Sequence, residues 1–357
     1  MTGRRPGRVQ ILGWIEENGK RLTADEVSGI VAVDPGRVSG FGGEFHLAWD
    51  GCAATDRLGL LGIPGPARSR DRPGGKGAPL DGIPGASGLI TCDGEPVGRV
   101  DPDVPLLDLG EALRLAVRLR ADEGVVALSG GVDSTLVAAL AGLPCVTVGM
   151  EGSGDLQRGR KAAEILGLPW EGVTITEEEV GEALPVVAGA IPRVTPLDIS
   201  IATGLFFVAR WAGERGHRRV LVGQGADELF AGYARYRTAA DVPAMLARDF
   251  ASLRGQALRD QAVARLHGTA FSLPYLDLRV VRAARSIPPD RLVSAGMGKV
   301  PLRELAARLL PPEVALAPKK AMQYGTGISR AIRELARKNG YKGSVQRYIF
   351  RLTGEQR

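Results

Sequence analysis

The chain has 357 residues, 44% hydrophobic and 24% charged, enough apolar material for a sizeable core and too little charge for wholesale disorder. Its 46 basic and 40 acidic residues leave a formal net charge of +6, a surplus too mild over this length to mark a nucleic-acid binder. Cys52, Cys92 and Cys145 show neither a Cys-x-x-Cys pair nor zinc-ligand spacing and read as reduced thiols of a cytoplasmic protein, while the basic start from Met1 to Arg8 and short apolar runs such as Leu184 to Ile191 point away from a signal peptide and from a bilayer span.

In chain order, the first hundred residues are rich in glycine and proline, and Arg68 to Gly85 reads as an irregular loop. Glu44 to Trp49 reads as a strand ending at the turn Asp50-Gly51, and Leu89 to Cys92 as another ending at Asp93-Gly94. A small β-containing N-terminal domain over 1–104 is therefore expected. From about residue 105 the pattern changes. Leu107 to Leu119 has helical spacing, and Val125 to Leu128 is a continuous apolar run suited to a buried parallel strand. Helices are expected over Ser134 to Leu140, over Asp155 to Leu166 with Asp155 as its cap, over Glu177 to Ala188, and over Ser200 to Glu214. Strands are expected at Cys145 to Val148, Val173 to Ile175 and Val220 to Val222, with a further helix from Ala226. This alternation predicts an α/β doubly wound parallel sheet in 105–357, with a helical C-terminal part after about residue 240.

The first parallel strand runs into Ser129-Gly130-Gly131-Val132-Asp133-Ser134-Thr135. Glycines let the backbone approach a ligand, and the exposed N–H groups at the helix start favour an anion. The hydroxyls of Ser129, Ser134 and Thr135 can donate to phosphate oxygens. Asp133 would repel phosphate unless a divalent cation lies between them, which places Mg2+ there. An ordinary helix-capping turn is the plain alternative. The segment lacks the lysine of a Walker A loop, and no Gly-x-Gly-x-x-Gly follows a strand. A second block, Gly223-Gln224-Gly225-Ala226-Asp227-Glu228-Leu229-Phe230-Ala231-Gly232-Tyr233, also follows a strand and opens a helix. Asp227 is a candidate second metal ligand facing Asp133.

Ser-Gly-Gly-x-Asp-Ser resembles the pyrophosphate-binding loop of the PP-loop (adenine nucleotide alpha hydrolase-like) ATP pyrophosphatases, and the second block resembles their asparagine synthetase branch. Thr147 to Met150, Pro274 to Asp277, Gly298 to Arg303 and Pro318 to Lys320 follow in the family's order, so the resemblance covers about 105 to 335. It implies that ATP and Mg2+ are the cofactors. Leu128, Val148, Val222 and Gly223 would touch the nucleotide. Lys319 matches a lysine at the α-phosphate region, where it would stabilise charge as pyrophosphate leaves. Gln224 stands where the family commonly has a glutamate important for the acyl-adenylate step; glutamine keeps the shape but cannot act as a base.

The family usually joins this domain to a glutaminase with an N-terminal cysteine nucleophile. Here the second residue is Thr2. Gly43 to Asp50 and Asp56 to Gly59 still resemble the later part of that glutaminase, so 1–104 reads as a shortened remnant. Nitrogen would come from free ammonia or a separate glutaminase subunit. The family's Ile-Arg-Ala-Ser segment reads Ile199-Ser200-Ile201-Ala202, and its arginine before the Pro-Phe-Leu-Asp block is Ser272. Missing cations at a site for a small dicarboxylate argue against aspartate as acceptor. The expected activity is AMP-forming amidation of a small-molecule carboxylate, with neither nucleic acid nor membrane as partner and with room for a homodimer. Two other readings stay open. One is adenylation of another metabolite or of tRNA, to which the basic residues Arg333, Arg337, Lys338, Lys342, Arg347 and Arg351 lend some support. The other is a non-catalytic ATP-binding subunit.

Overall fold

The computed structural model describes residues 9–61, 87–294, 296–316, 322–342 and 344–354. Met1 to Arg8, the loop read at Arg68 to Gly85, and Lys319 with its neighbour Lys320 lie outside the described residues. Among the described residues no helix is long and apolar enough to cross a membrane.

The N-terminal unit is a six-stranded antiparallel sheet: β1 (Gln10–Glu17), β2 (Lys20–Arg21), β3 (Gly42–Trp49), β4 (Cys52–Thr55), β5 (Leu89–Cys92) and β6 (Glu95–Arg99), ordered β2-β1-β3-β4-β5-β6. The expected turns close β3 onto β4 and β5 onto β6, with Asp50, Gly51, Asp93 and Gly94 all at positive φ, as tight hairpin turns require. Helix α1 (Ala24–Val33) was not visible as a periodic pattern. Its start is a capping box, in which Thr23 Oγ1 accepts from Glu26 N and Glu26 accepts from Thr23 N, satisfying two end groups at once. Alternation gives the sheet two buried faces. Ile15, Phe45, Leu47 and Trp49 pack against Val27 and Val31 of α1. Trp14, Glu16 and Glu44, on the other face, are also buried, and what they meet is the second half of the molecule.

The cysteines depart from expectation. Cys52 and Cys92 are directly opposed on β4 and β5, with Cα atoms 3.9 Å apart, and form a disulfide; they are not reduced thiols. Cys145 alone remains a thiol, and burial pushes its pKa up to about 12.

The second half alternates α2 (Leu109–Arg118), β7 (Val125–Ala127), α3 (Val132–Ala141), β8 (Cys145–Met150), α4 (Gly154–Leu166), β9 (Trp170–Ile175), α5 (Glu177–Ala190), α6 (Pro196–Glu214), β10 (Arg219–Leu221), α7 (Ala226–Leu229), α8 (Val242–Arg265) and β11 (Ala270–Ser272). Its five strands are all parallel, in the order β11-β10-β7-β8-β9. This is the doubly wound α/β sheet expected from the sequence. Val125, Val126, Val146, Val220 and Leu221 have no exposed surface, each contributing roughly 1.5–3 kcal/mol by burial. There follow α9 (Leu278–Arg285), the hairpin β12 (Val293–Ser294) and β13 (Met297–Gly298), α10 (Val300–Ala307), α11 (Pro312–Ala315), α12 (Met322–Gly325), α13 (Ile328–Lys338) and α14 (Val345–Thr353).

Three local expectations are corrected. Ser153, not Asp155, occupies the N-cap of α4; Asp155 is buried one step inside the helix and pairs with Arg158. The helix from Ala226 is a single turn, since α7 ends at Leu229. A fifth strand, β11, lies in a region read as helical; its three residues are too few to show a period.

Candidate functional site

The parallel strands are laid down outward from β7 in both directions, so the connection sense reverses between β7 and β10. In open α/β sheets such a switch point leaves a crevice beyond the carboxyl ends of the strands. Both glycine turns fall there: Ser129 to Thr135 follows β7, and Gly223 to Glu228 follows β10. Gly130 has φ 73° and Gly225 φ 92°, which disfavour any other residue. The turns touch. A Cβ on Gly223 would stand 3.1 Å from Asp133 Cβ and from Ser134 N, so a side chain there would press on the first turn.

Asp133 and Asp227 converge on one cation that the sequence reading had not singled out. Lys299 Nζ lies 2.6 Å from Asp227 Oδ1 and also donates to Asp133 Oδ2. The lysine side chain is 3% exposed, whereas each carboxylate is 20% exposed. Burial alone would lower the Lys299 pKa, but the two carboxylates outweigh it and hold the ammonium above its ordinary value. Lys299 sits at the N-cap of α10 with φ 62°, a left-handed conformation that costs a non-glycine residue roughly 1–2 kcal/mol. Neighbouring structure enforces it. Lys299 N donates to Phe230 O at 2.9 Å, and Gly232 presses so closely on Asp227 and Lys299 that a Cβ there would overlap both. Ala231, next to Gly232, is also at positive φ. Strained backbone held by its surroundings is typical of sites.

Tyr275 and Arg303 complete the surroundings. Tyr275 OH donates to Asp133 O at 3.1 Å; burial, then the nearby Asp133 and Asp227, raise its pKa well above the usual phenol value. Arg303 donates to Gly298 O and Ala315 O, anchoring the turn that presents Lys299. Lys299 lay within the Gly298 to Arg303 block noted in the sequence, but no spacing ties it to Asp133 or Asp227.

The other expected site residues divide. Ser129 is half-buried, and its hydroxyl lies 3.0 Å from that of Ser134. Ser134 Oγ also accepts from Ser129 N and donates to Gly131 O, so it closes the turn rather than standing free for phosphate. Thr135 is fully buried, one step further into α3, and presents no open hydroxyl. Leu128, Val148 and Val222 are buried at or near the ends of β7, β8 and β10, Val222 N bonding to Ser272 O. Gln224 is half-buried in the second turn. Lys319 falls outside the described residues.

For a metal, the donor set is two carboxylates. Among the described residues no group of three or more His, Cys, Asp or Glu side chains could hold one. That fits Mg2+ bound by one or two carboxylates together with phosphate oxygens of a substrate, and not a resident protein cage.

The fold and the crevice define a doubly wound α/β protein of the PP-loop type. The family model described as Asparagine synthase matches residues 108–247 and 237–351, well over half of the sequence. The chain belongs to the asparagine synthase family. It is 33% identical over 279 residues to the putative asparagine synthetase [glutamine-hydrolyzing] 1 of Methanocaldococcus jannaschii, covering 65% of this chain and 52% of that protein. To the carboxyethyl-arginine beta-lactam-synthase of Streptomyces clavuligerus it is 29% identical over 286 residues, covering 76% of this chain and 54% of that one. The chain thus spans about half the length of these curated relatives. The NH3-dependent NAD synthetase from Campylobacter jejuni matches 70% of this chain and 98% of its own at 14% identity with a TM-score of 0.32, too distant to bear on function.

Proposed function

We propose that the chain is an AMP- and pyrophosphate-forming ligase that adenylates a carboxylate with ATP and then converts it to an amide. The observation that carries this reading is the meeting of Asp133 and Asp227 on Lys299 at the switch point. By themselves the two carboxylates would repel a triphosphate. Asp133 and Asp227 would hold Mg2+, whose charge would offset that repulsion. Lys299, its ammonium kept charged by its neighbours, would then face the negative charge that develops as pyrophosphate leaves. The N–H groups at the start of α3 bind phosphate, and Tyr275 fixes the turn that offers them.

Nitrogen would come as ammonia, directly or from a separate glutaminase. Within these 357 residues two of the three cysteines are joined in the disulfide and the third is a buried thiol with a raised pKa, which disfavours a cysteine nucleophile for glutamine. Residues 1–104 are on this reading a shortened glutaminase-like region. The acceptor is a carboxylate other than aspartate: where the family resemblance calls for arginines, Ser200 Oγ donates to Pro196 O in its own helix and Ser272 Oγ to Glu44, so neither position offers a cation.

A second reading, a larger anionic acceptor such as tRNA, is favoured by one observation. Between Ile328 and Gly354 stand seven basic residues and a single Glu, a surplus equal to the +6 of the whole chain. All seven are exposed on α13, α14 and the turn between them. Lys338 pairs with Glu177 and Arg337 with Glu334. Incubation with ATP, Mg2+, ammonia and a panel of carboxylates should yield AMP and pyrophosphate with the true acceptor. Release only with added tRNA, weakened by salt, would transfer the reading to nucleic acid. Tight ATP binding with silence throughout would leave a regulatory subunit.

A further inference from the structure

Glu44 lies on β3 of the N-terminal unit and is 2% exposed. It accepts four hydrogen-bond donors: Trp14 Nε1 at 3.2 Å, Arg120 Nε at 2.9 Å, Leu273 N at 2.8 Å, and Ser272 Oγ. Only Trp14 belongs to its own unit. The other three come from the catalytic half, two of them from the end of β11 and the residue after it. A carboxylate buried this deeply is tolerable only because its oxygens are filled and Arg120 balances its charge. Arg120 in turn donates to Asp277 Oδ2 at 2.9 Å, and Asp277 accepts from Arg279, which reaches back to Glu16 on β1. The segment from Ser272 to Asp277 is therefore held at both ends by ionised groups tied to the N-terminal sheet.

That short segment touches both turns of the site. Tyr275 OH bonds to Asp133 O in the first. In the second, Leu276 fills the space a Cβ on Gly225 would need, 2.5 Å from its Cδ2, with Tyr275 Cβ at 3.5 Å. Ser272 and Leu273 are held from one side by Glu44, and Tyr275 and Leu276 hold the turns from the other.

We propose that the N-terminal sheet braces the nucleotide-binding crevice, with Glu44 as a positioning residue acting through Ser272–Asp277 on the two turns. Ser272 is accounted for in this way: at the end of β11, its short hydroxyl reaches the Glu44 carboxylate in a space filled by Arg120 and Trp14, whose ring lies 4.8 Å below the Arg120 guanidinium. The proposal rests on the ATP reading of the crevice.

The test is calorimetric titration of ATP with Mg2+, alongside thermal melting, for the parent chain, Glu44→Gln, Tyr275→Phe and the double variant. Glu44→Gln should weaken ATP binding about tenfold, since small displacements of a positioned group are costly. In the Tyr275→Phe background the same change should add less than about twofold, because both act through one connection. A purely structural Glu44 would lower the melting temperature and leave ATP affinity unchanged; that result, or losses that multiply, overturns the proposal. Ser272→Ala, which removes one neutral donor and leaves every charge in place, guards against misfolding: a loss of about threefold is expected, and a folded variant with parental affinity also overturns it. A parent chain that binds no ATP refutes the nucleotide reading itself, and the brace with it, which is distinguishable from parental binding that Glu44→Gln leaves untouched.

Discussion

Two clusters of opposite charges lie on either side of the segment Ser272–Asp277, and they are built differently. In the Glu16–Arg279–Asp277–Arg120–Glu44 chain, signs alternate and no side chain is more than 7% exposed. In the Asp133–Lys299–Asp227 cluster the cation is buried, but both carboxylates keep a fifth of their surface open. The first closes on itself and is a structural connection between two sheets. The second is open on one side, where a ligand can reach its carboxylates. Residue types alone do not separate the two; burial does.

Removing a cation from each cluster sharpens the difference. Arg120→Met should have the larger effect on stability, about 3–5 kcal/mol, because it takes from the buried Glu44 carboxylate its guanidinium partner and leaves Asp277 with Arg279 alone. Urea unfolding followed by circular dichroism measures it, and a loss under 1 kcal/mol would show that the chain is not a closed unit. Lys299→Met should leave stability closer to the parent, since its carboxylates can be hydrated, yet lower pyrophosphate release by about 10²–10³-fold. The variant should also gain more thermal stability from Mg2+ than the parent does, because two facing carboxylates then lack their ammonium. Equal Mg2+ response in both proteins would contradict the shared-site geometry.

The open cluster was half legible in the sequence. Both turns could be read because each combines an apolar strand, a glycine pair and a helix start within a dozen residues, a local signal. Lys299 could not. It comes from a hairpin far along the chain, and a lysine followed by a proline-containing helix start reads as surface. The closed cluster was not legible at all. Glu44 stands on the strand face where alternation predicts polar residues, and nothing local tells that this face is covered by β11 and α2. The same holds for β11, whose three residues are a strand only because β10 lies beside them. What was read from the fold rests on contiguous patterns; the clusters and strand that were missed depend on contacts between residues far apart in the chain, 76 positions in the case of Glu44 and Arg120.

A third carboxylate tests the comparison from the side of pH. Asp56 is fully buried beside the closed cluster and, with Glu16, Leu58 and Asp277, lines a water-sized cavity of about 20 Å3. Its oxygens accept from Leu58 N and Leu60 N at 3.1 Å. Burial, and to a lesser degree the charge of Glu44, raise its pKa from 3.8 to about 7 against those hydrogen bonds. Between these two values the folded chain binds one more proton at Asp56 than the unfolded chain does. Stability should therefore be greatest at the acid end of this window, decline as pH rises through it by at most about 1.4 kcal/mol per unit from this group, and level off above pH 7. Asp56→Asn keeps an acceptor for the two backbone N–H groups and removes the titration. Urea midpoints at pH 5, 6, 7 and 8 should then show a flatter decline than the parent's. Parallel profiles for the two proteins would mean that Asp56 is ionised throughout.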